Sequence, residues 1–302
     1  MSSTVFQENM SEMQRDIRDM IPRLWGVNRW TRNDAPCNHP CSLMKANIDT
    51  LFKKKYKVGA KADGTRAFML FSFTPNPEKD YTALVNRRFE SREMRIRAPS
   101  EYYSGTLLDG EIVQAPDGSE EYLVFDIIAM CGYSMVKKTH SERYGEVIRV
   151  VNSIKSPVLR VRPKTWFEFG DVGYKEVVQS IEPHKSDGLI FVPESGSPLS
   201  VGRQTDHYKW KRADDHTIDF LLEGGTLWLE RHGVREVAPY EVVGHEGLHG
   251  VVECSMKWGE HGWVATVVRT RPDKSHPNDT RIARLTLQNI EENVVVTDLM
   301  KE

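Results

Sequence analysis

The sequence predicts an α+β fold in two parts, a sheet-and-helix body followed by a small β-barrel. Three observations carry this. Between Tyr56 and Lys211, short runs rich in aromatic and β-branched residues are separated by Pro, Gly, Asn and Asp, as strands joined by turns are. Helical periodicity appears before these runs and again at Thr139–Ser153. After Lys211 the texture changes to five strand-like runs at short intervals, a spacing that suits a closed or nearly closed barrel. The 302 residues accommodate two cores. The boundary falls near Ala213–Asp215, with no long linker.

Taken in order, Phe6, Met10, Met13, Ile17, Met20 and Leu24 recur at helical spacing and predict an amphipathic helix packed on the body. Asp34–Ser42 is turn-rich, and Lys45–Lys54 reads as a short helix capped near Asn47 or Asp49. Strands are expected at Lys57–Lys61, Arg66–Phe73, Tyr81–Asn86, Thr106–Val113 and Tyr122–Ala129. The helix at Thr139–Ser153 carries Val147, Ile148 and Val151 on one side, and Leu189–Val192 and His207–Lys211 add two strands. The barrel runs are Thr217–Leu222, Thr226–Arg231, Arg235–Val243, Gly250–Met256 and Trp263–Arg269, followed by a helix over Asp279–Glu291.

Composition bounds the function. Hydrophobic content of 39% and charged content of 28% are ordinary for a globular protein. A net charge of −2 excludes a global positive field, so any nucleic-acid contact must come from local patches. One such patch is Arg87, Arg88, Arg92, Arg95 and Arg97, interrupted by Glu90 and Glu93; it reads equally as a solvated surface. The four cysteines, Cys37, Cys41, Cys131 and Cys254, follow a polar amino end with no signal-peptide pattern, which points to a reducing, intracellular setting. No stretch has the apolar length of a membrane span. Cys37-Asn38-His39-Pro40-Cys41 resembles half a zinc site but has no second Cys/His pair at ligand spacing.

The chemistry concentrates in Lys61-Ala62-Asp63-Gly64-Thr65-Arg66, a lysine at the end of an apolar run with a carboxylate, a glycine and an arginine behind it. That grouping suits an amine that attacks a nucleotide phosphate. An ordinary lysine titrates near pH 10.4, so a nucleophilic one needs its pKa lowered by roughly three units. Nearby cations or a divalent metal supply such a shift. Lys209 and Lys211 alternate on an expected strand and so share a face, with Arg66 as a third cation. Asp109-Gly110-Glu111 and Asp187-Gly188 place carboxylates where they hold a metal or a ribose hydroxyl. Each Asp-Gly is also an ordinary turn dipeptide, yet all three here abut apolar strands. Tyr122–Ile128 reads as a core strand whose aromatics also offer a stacking face to a purine.

In their order along the chain, these clusters resemble the GTP:RNA guanylyltransferases that cap messenger RNA. These belong to the covalent nucleotidyltransferases, with DNA and RNA ligases; the nearest likeness is to compact single-function capping enzymes of large DNA viruses. The resemblance runs from about Pro36 to about Leu299. It implies an antiparallel-sheet nucleotidyltransferase domain over residues 1–213 and a β-barrel OB-fold domain over residues 214–302, with a C-terminal segment able to pack back on the first domain. It assigns Lys61 as the nucleophile that forms a phosphoramidate with GMP, and Arg66 as nucleotide-binding. Arg87 occupies the place of a ribose-contacting arginine, with Asn86 where the family usually has aspartate. Glu111 meets the ribose or the metal, Phe125 stacks on guanine, and Lys164, in Lys164-Thr165-Trp166, reads the guanine oxygen. Asp187 is the metal-associated carboxylate, and Lys209 and Lys211 contact phosphate. Asp215-His216-Thr217-Ile218-Asp219-Phe220 follows that pair as in capping enzymes. Arg271-Pro272-Asp273-Lys274 matches the family's final motif, which the OB domain swings over to orient the pyrophosphate leaving group. Pro36–Ser42 sits at the family's proline-rich segment, and the last helix is shorter than in some relatives.

The resemblance implies transfer of GMP from GTP, through lysyl-N-GMP, to the 5′ diphosphate end of RNA as a GpppN cap. Mg2+ or Mn2+ would assist, and a hinge near Ala213–Asp215 would open between the two steps. The alternatives are an ATP-dependent DNA or RNA ligase using the same lysine chemistry, and a non-catalytic RNA-binding subunit, which predicts missing chemistry residues. Beyond GTP and RNA, the partners to consider are an RNA triphosphatase, a cap methyltransferase and RNA polymerase. No phosphatase or methyltransferase module fits within the sequence, and no membrane is implied. The expected location is the nucleus or the viral or host cytoplasm.

Overall fold

In the computed structural model, residues 11–75, 78–170 and 186–300 are described. The chain divides into two compact units, one of Met1–Cys41 with Thr50–Lys209, the other of Ser42–Asp49 with Trp210–Glu302.

The first unit opens on helix α1 (Glu12–Leu24), started by a capping box in which Ser11 and Gln14 bond each other's backbone amides. Its expected apolar stripe is real. Ile17, Met20, Ile21 and Leu24 are buried in a cluster with Phe68, Leu70, Val85 and Ile128, while Phe6 and Met10 lie outside the described residues. After β1 (Asn38–Ser42) and helix α2 (Lys45–Lys53), two sheets form. The larger contains β3 (Thr65–Pro75), β4 (Glu78–Asn86), β5 (Ser91–Met94), β6 (Thr106–Gln114), β7 (Glu120–Met130) and β8 (Tyr133–Ser134), in the order β5-β4-β3-β6-β7-β8. A further strand, β9 (Arg160–Pro163), runs parallel to β7. Helix α3 (His140–Ser153) has its own capping box from Thr139 and Glu142 and buries Val147 and Val150 with Tyr122, Val124 and Ile127 of β7.

The second sheet of this unit has the order β1-β12-β11-β2-β10, with β2 (Tyr56–Ala62), β10 (Phe167–Glu168), β11 (Ser186–Pro193) and β12 (Gly202–Trp210). Here β2 is antiparallel to both β10 and β11. The expected strands all form, extended by a few residues each. The strands with no sequence signal, β1 (where Asp34–Ser42 reads as turn-rich), β5, β8, β9 and β10, have at most five residues and little apolar content, too little for alternation to register. Strand β12 ends at Trp210, so Lys211 falls one residue past it rather than on the shared face expected with Lys209.

The second unit is a six-stranded sheet in the order β15-β14-β13-β17-β18-β16, formed from β13 (Thr217–Glu223), β14 (Thr226–Arg231), β15 (Val234–Val237), β16 (Glu241–Val243), β17 (Gly250–Gly259) and β18 (Gly262–Thr270). Its pairs are antiparallel except β16 with β18. The end strands β15 and β16 do not pair with each other, so the sheet stays open where a closed barrel was one expectation. The run Arg235–Val243, expected as one strand, is divided because Pro239 has no N–H to give a ladder. Helix α4 (Thr280–Glu292) is capped by Asp279 and adds Ala283 and Leu287 to a core of Ile218, Phe220, Val252 and Cys254. No described helix is long and apolar enough to cross a membrane.

Candidate active site

Strand β2 supplies the floor of the site. Alternation puts Lys57, Gly59 and Lys61 on one face. A side chain at Gly59 would meet the Thr165 carbonyl at 2.9 Å and the Trp166 ring at 3.1 Å, so glycine is what allows Lys164–Trp166 to lie across the strand. Lys164 is buried, donates to the carbonyl of Ala60, and lies 5.7 Å from the Trp166 ring centroid.

Of the three Asp-Gly pairs singled out above, two are not turns. Asp63-Gly64 joins β2 to β3, but Asp109-Gly110 lies inside β6 and Asp187-Gly188 inside β11. Each sits at a register shift. In β7, Phe125 is the extra residue between Asp126, opposite Asp109, and Val124, opposite Gly110. In β11, one residue too many fits between Ser186 and Leu189, opposite Ala62 and Ala60. Bulges re-aim side chains, and these two serve Phe125 and Asp187. Gly110 is required by close approach: a Cβ there would lie 2.4 Å from the Leu123 carbonyl.

Around Lys61 the contacts are specific. Its ammonium donates to Asp187 Oδ1 at 2.6 Å, both side chains being about a quarter exposed at 24% and 26%. Glu111 accepts the Gly64 amide at 3.2 Å; burial raises its pKa, against the opposing charges of Lys61 and Lys164. Arg66, directly opposite Glu111 in the β3–β6 register, reaches diagonally to Asp109 with Nε and Nη2 at 3.0 and 2.5 Å. Its Nη1 and Nη2 also donate to the carbonyl and side chain of Asn38, each at 2.6 Å. The guanidinium, 5.4 Å from the Phe125 centroid, is thereby committed to the protein and fixes Asn38, Asp109 and the ring.

Lys61, Arg66, Glu111, Phe125 and Lys164 line one cavity of about 200 Å³ together with Asn38, Asp126, His140, Trp166 and His207. Whole-ligand pockets run roughly 300–1,000 Å³. This one has the scale of a base and part of a sugar, with phosphates left to the open side. Behind it, Asp126 is held below the ordinary carboxylate range: burial opposes, and the Arg143 guanidinium, bonded at 2.7 and 2.9 Å, prevails.

Not every expected residue joins this cavity. Arg87 is exposed on the turn after β4 and is not among the lining residues; Arg88, Arg92, Arg95 and Arg97 are exposed too. The Arg87 charge is nonetheless felt by His39, whose pKa burial, Arg87, Arg66 and Lys209 together lower to about 4. Lys209 is exposed on β12. In the second unit, Arg271 bonds Asp219 at 3.1 Å and Asp273 at 2.8 Å, and Lys274 donates to the other oxygen of Asp219. The expected Asp-Lys motif is therefore organised by Asp219 of the Thr217–Phe220 run. Cys37 and Cys41 are buried thiols, and no group of three or more metal-ligating side chains occurs among the described residues. Glu111 and Asp187 are carboxylates of the type that would hold a magnesium-like ion, which takes one or two carboxylates with substrate phosphates completing its shell.

Sequence reasoning missed His140, His207, Asn38 and Asp126, and named Trp166 without a role. His140 sits first in an amphipathic helix and Asp126 inside a core strand, positions that carry no functional pattern. Burial lowers the His140 pKa to about 4; Asp126 opposes, and Arg143, His207 and Lys57 add to the effect. The folded state thus prefers neutral imidazole, and the unfolded chain takes up a proton below about pH 6.5. This contribution to stability is complete above that pH and is lost as pH falls toward 4, by about 3 kcal/mol in all. Urea unfolding at pH 7.5 and 4.5 should show a decline that His140→Leu makes shallower.

Two family models cover almost the whole chain, the mRNA capping enzyme catalytic domain over residues 3–213 and the mRNA capping enzyme C-terminal domain over residues 215–300. The chain belongs to the mRNA capping enzyme family. It is 28% identical to a mouse (Mus musculus) mRNA-capping enzyme over 90% of this chain and 50% of that protein. It is 27% identical to the Schizosaccharomyces pombe mRNA-capping enzyme subunit alpha over 95% of this chain and 84% of that protein. It thus spans about half the length of the animal relatives it matches. Among solved structures, a mycobacterial DNA ligase D complexed with ATP and MES aligns with 80% of this chain and 96% of that chain, at 15% identity and a TM-score of 0.46. The closeness to viral enzymes expected above is not part of what these matches show.

Proposed function

We propose that the chain is an mRNA guanylyltransferase that forms lysyl-N-GMP on Lys61 and passes the GMP to a 5′ diphosphate RNA end. The observation that carries this reading is the contact of Lys61 with Asp187 beside a cavity of base size lined by Phe125, Lys164 and Glu111. Family membership supports it, as does the presence of every chemistry residue that a non-catalytic subunit would be free to lose.

In the first step the base enters beside Phe125 and Lys164, and the α-phosphate comes to rest near Lys61. The amine must give up a proton before it attacks; Asp187, at 2.6 Å, is the nearest acceptor. The N–P bond forms as the bond from the α-phosphorus to the bridging oxygen breaks, and pyrophosphate leaves. Arg271 and Lys274 supply cations to that leaving group, pre-oriented by Asp219. In the second step an oxygen of the RNA diphosphate attacks the same phosphorus, the P–N bond breaks, and Lys61 regains a proton. A divalent metal, when bound by Glu111 and Asp187, would stabilise charge on the phosphate oxygens.

The test is labelling with α-labelled GTP and a divalent metal. The expected product is an acid-labile protein–GMP bond that pyrophosphate reverses and ATP does not compete away. Label from ATP in preference to GTP would replace this reading with the ligase one. Arg271→Ala separates the steps. It should slow lysine guanylylation by about 10²-fold or more, yet transfer from a preformed adduct by less than about threefold. Equal losses in both steps would remove the leaving-group role and the hinge near Ala213–Asp215 that goes with it.

A further inference from the structure

Seven buried side-chain polar atoms among the described residues have no hydrogen-bond partner, and four of them stand on one wall of the same cavity: His140 Nδ1 and Nε2, His207 Nε2 and Trp166 Nε1. The two histidines are almost wholly buried, at 4% and 6% exposure. Buried polar groups are nearly always paired, because leaving them without a partner costs free energy. A concentration of them beside the apolar side chains of Ile190 and Val192 marks a wall built to meet polar atoms of a ligand.

The wall has a defined donor and acceptor pattern. His207 Nδ1 lies 3.0 Å from Asp206 Oδ1. A carboxylate only accepts, so Nδ1 carries a proton, which leaves Nε2 as the ring position that can accept. The His140 ring is stacked on Tyr144 at 5.9 Å and meets Trp166 edge-on at 5.2 Å, which fixes its plane. Neutral imidazole offers one donor and one acceptor, and indole offers a donor alone. The neighbouring Lys164 ammonium adds donors. A ligand edge complementary to this set combines a carbonyl with adjacent N–H and amino groups. Adenine has no such edge. Hypoxanthine has the carbonyl and the ring N–H but no amine.

We propose that His140, His207 and Trp166 read the amino–lactam edge of guanine, with the histidine acceptors taking its 2-amino and ring N–H groups. The assignment rests on the guanylyltransferase reading above and deepens it. The base is then chosen by its amine as well as by its oxygen, and a site that hydrogen-bonds a group rejects the analogue that lacks it.

The experiment compares GTP with ITP, which differ only in that amine. The wild-type protein should form its nucleotide adduct from GTP with kcat/KM about 10- to 100-fold above that from ITP. The variant that removes the acceptor of the amine, His207→Leu or His140→Leu, should lower the GTP value and leave the ITP value within about twofold, bringing the ratio below about three, whereas the variant that removes the acceptor of the ring N–H, which both nucleotides carry, should lower both. Equilibrium binding of GDP and IDP, measured separately, should show the same preference and the same collapse. Equal use of GTP and ITP by the wild type overturns the assignment without needing any variant to fold. Equal loss of both nucleotides in both variants also overturns it, since that is the mark of a structural role. If no nucleotide forms an adduct, yet GDP binds more tightly than IDP and one of the two histidine variants equalises them, the covalent reading fails and the base-reading wall stands. Equal binding of GDP and IDP, or no binding of either, overturns the wall.

Discussion

Lys61→Arg is expected to abolish protein–GMP formation, by at least about 10⁴-fold, while changing GTP binding by less than about threefold. Arginine keeps the positive charge and can still pair with Asp187, but guanidinium stays protonated and has no lone pair to offer phosphorus. The two effects are expected to part cleanly because the proposed base contacts, Phe125 and Lys164, lie on strands and segments other than that of Lys61. Rapid-quench labelling for the first quantity and titration with GDP for the second measure them independently. Loss of both together would mean that Lys61 acts by charge, as a phosphate ligand.

Arg66→Ala is expected to cost about 3–5 kcal/mol of stability, as well as guanylylation. Asp109 is 1% exposed, and its cationic partner among the described residues is this guanidinium, at 2.5 and 3.0 Å. Burial already pushes the Asp109 carboxyl upward, against Arg66. Without the arginine it rises further, so the folded variant must hold either an unpaired buried charge or an extra proton. The sign of the pH dependence follows. A carboxyl whose folded pKa is raised destabilises the fold as pH climbs above its unfolded value near 4, and does so least below that value. The deficit of Arg66→Ala relative to wild type should therefore shrink between pH 7 and pH 4 in urea unfolding. A double replacement, Arg66→Leu with Asp109→Leu, should recover much of the stability but none of the activity, since Asn38 and Phe125 lose the group that positions them.

The contrast between what was and was not legible in the sequence follows the range over which each feature is encoded. Strands such as β3, β6 and β7 announce themselves by local content, and α1 and α3 by period and by capping residues at Ser11 and Thr139. The order Lys61, Glu111, Phe125, Lys164, Asp187 was enough to name a family because motif spacing survives in one dimension. Residue-level geometry was less accessible. Asp109-Gly110, inside the expected strand Thr106–Val113, and Asp187-Gly188, beside the expected strand Leu189–Val192, also read as turns from dipeptide statistics, whereas the strand pairing makes each the site of a bulge. Nothing local tells a bulge from a turn when the partner strand is distant in the chain. The role of Arg66 likewise depends on Asn38, 28 residues earlier, and on Asp109, 43 residues later. His140 and His207 come from a helix end and a strand with no shared pattern, and only folding brings them to one wall. The open sheet of the second unit and the division at Pro239 were hidden because strand spacing alone does not report which edges pair.

The most direct test of covalent catalysis at Lys61 is to locate the bond. The protein, incubated with GTP and magnesium and digested under conditions that preserve phosphoramidates, is expected to carry one GMP, on the Lys61 side chain, and to lose it on addition of pyrophosphate. A GMP mapped to any other residue, or a protein that binds GTP and hydrolyses or ignores it without ever carrying the nucleotide, would contradict the account.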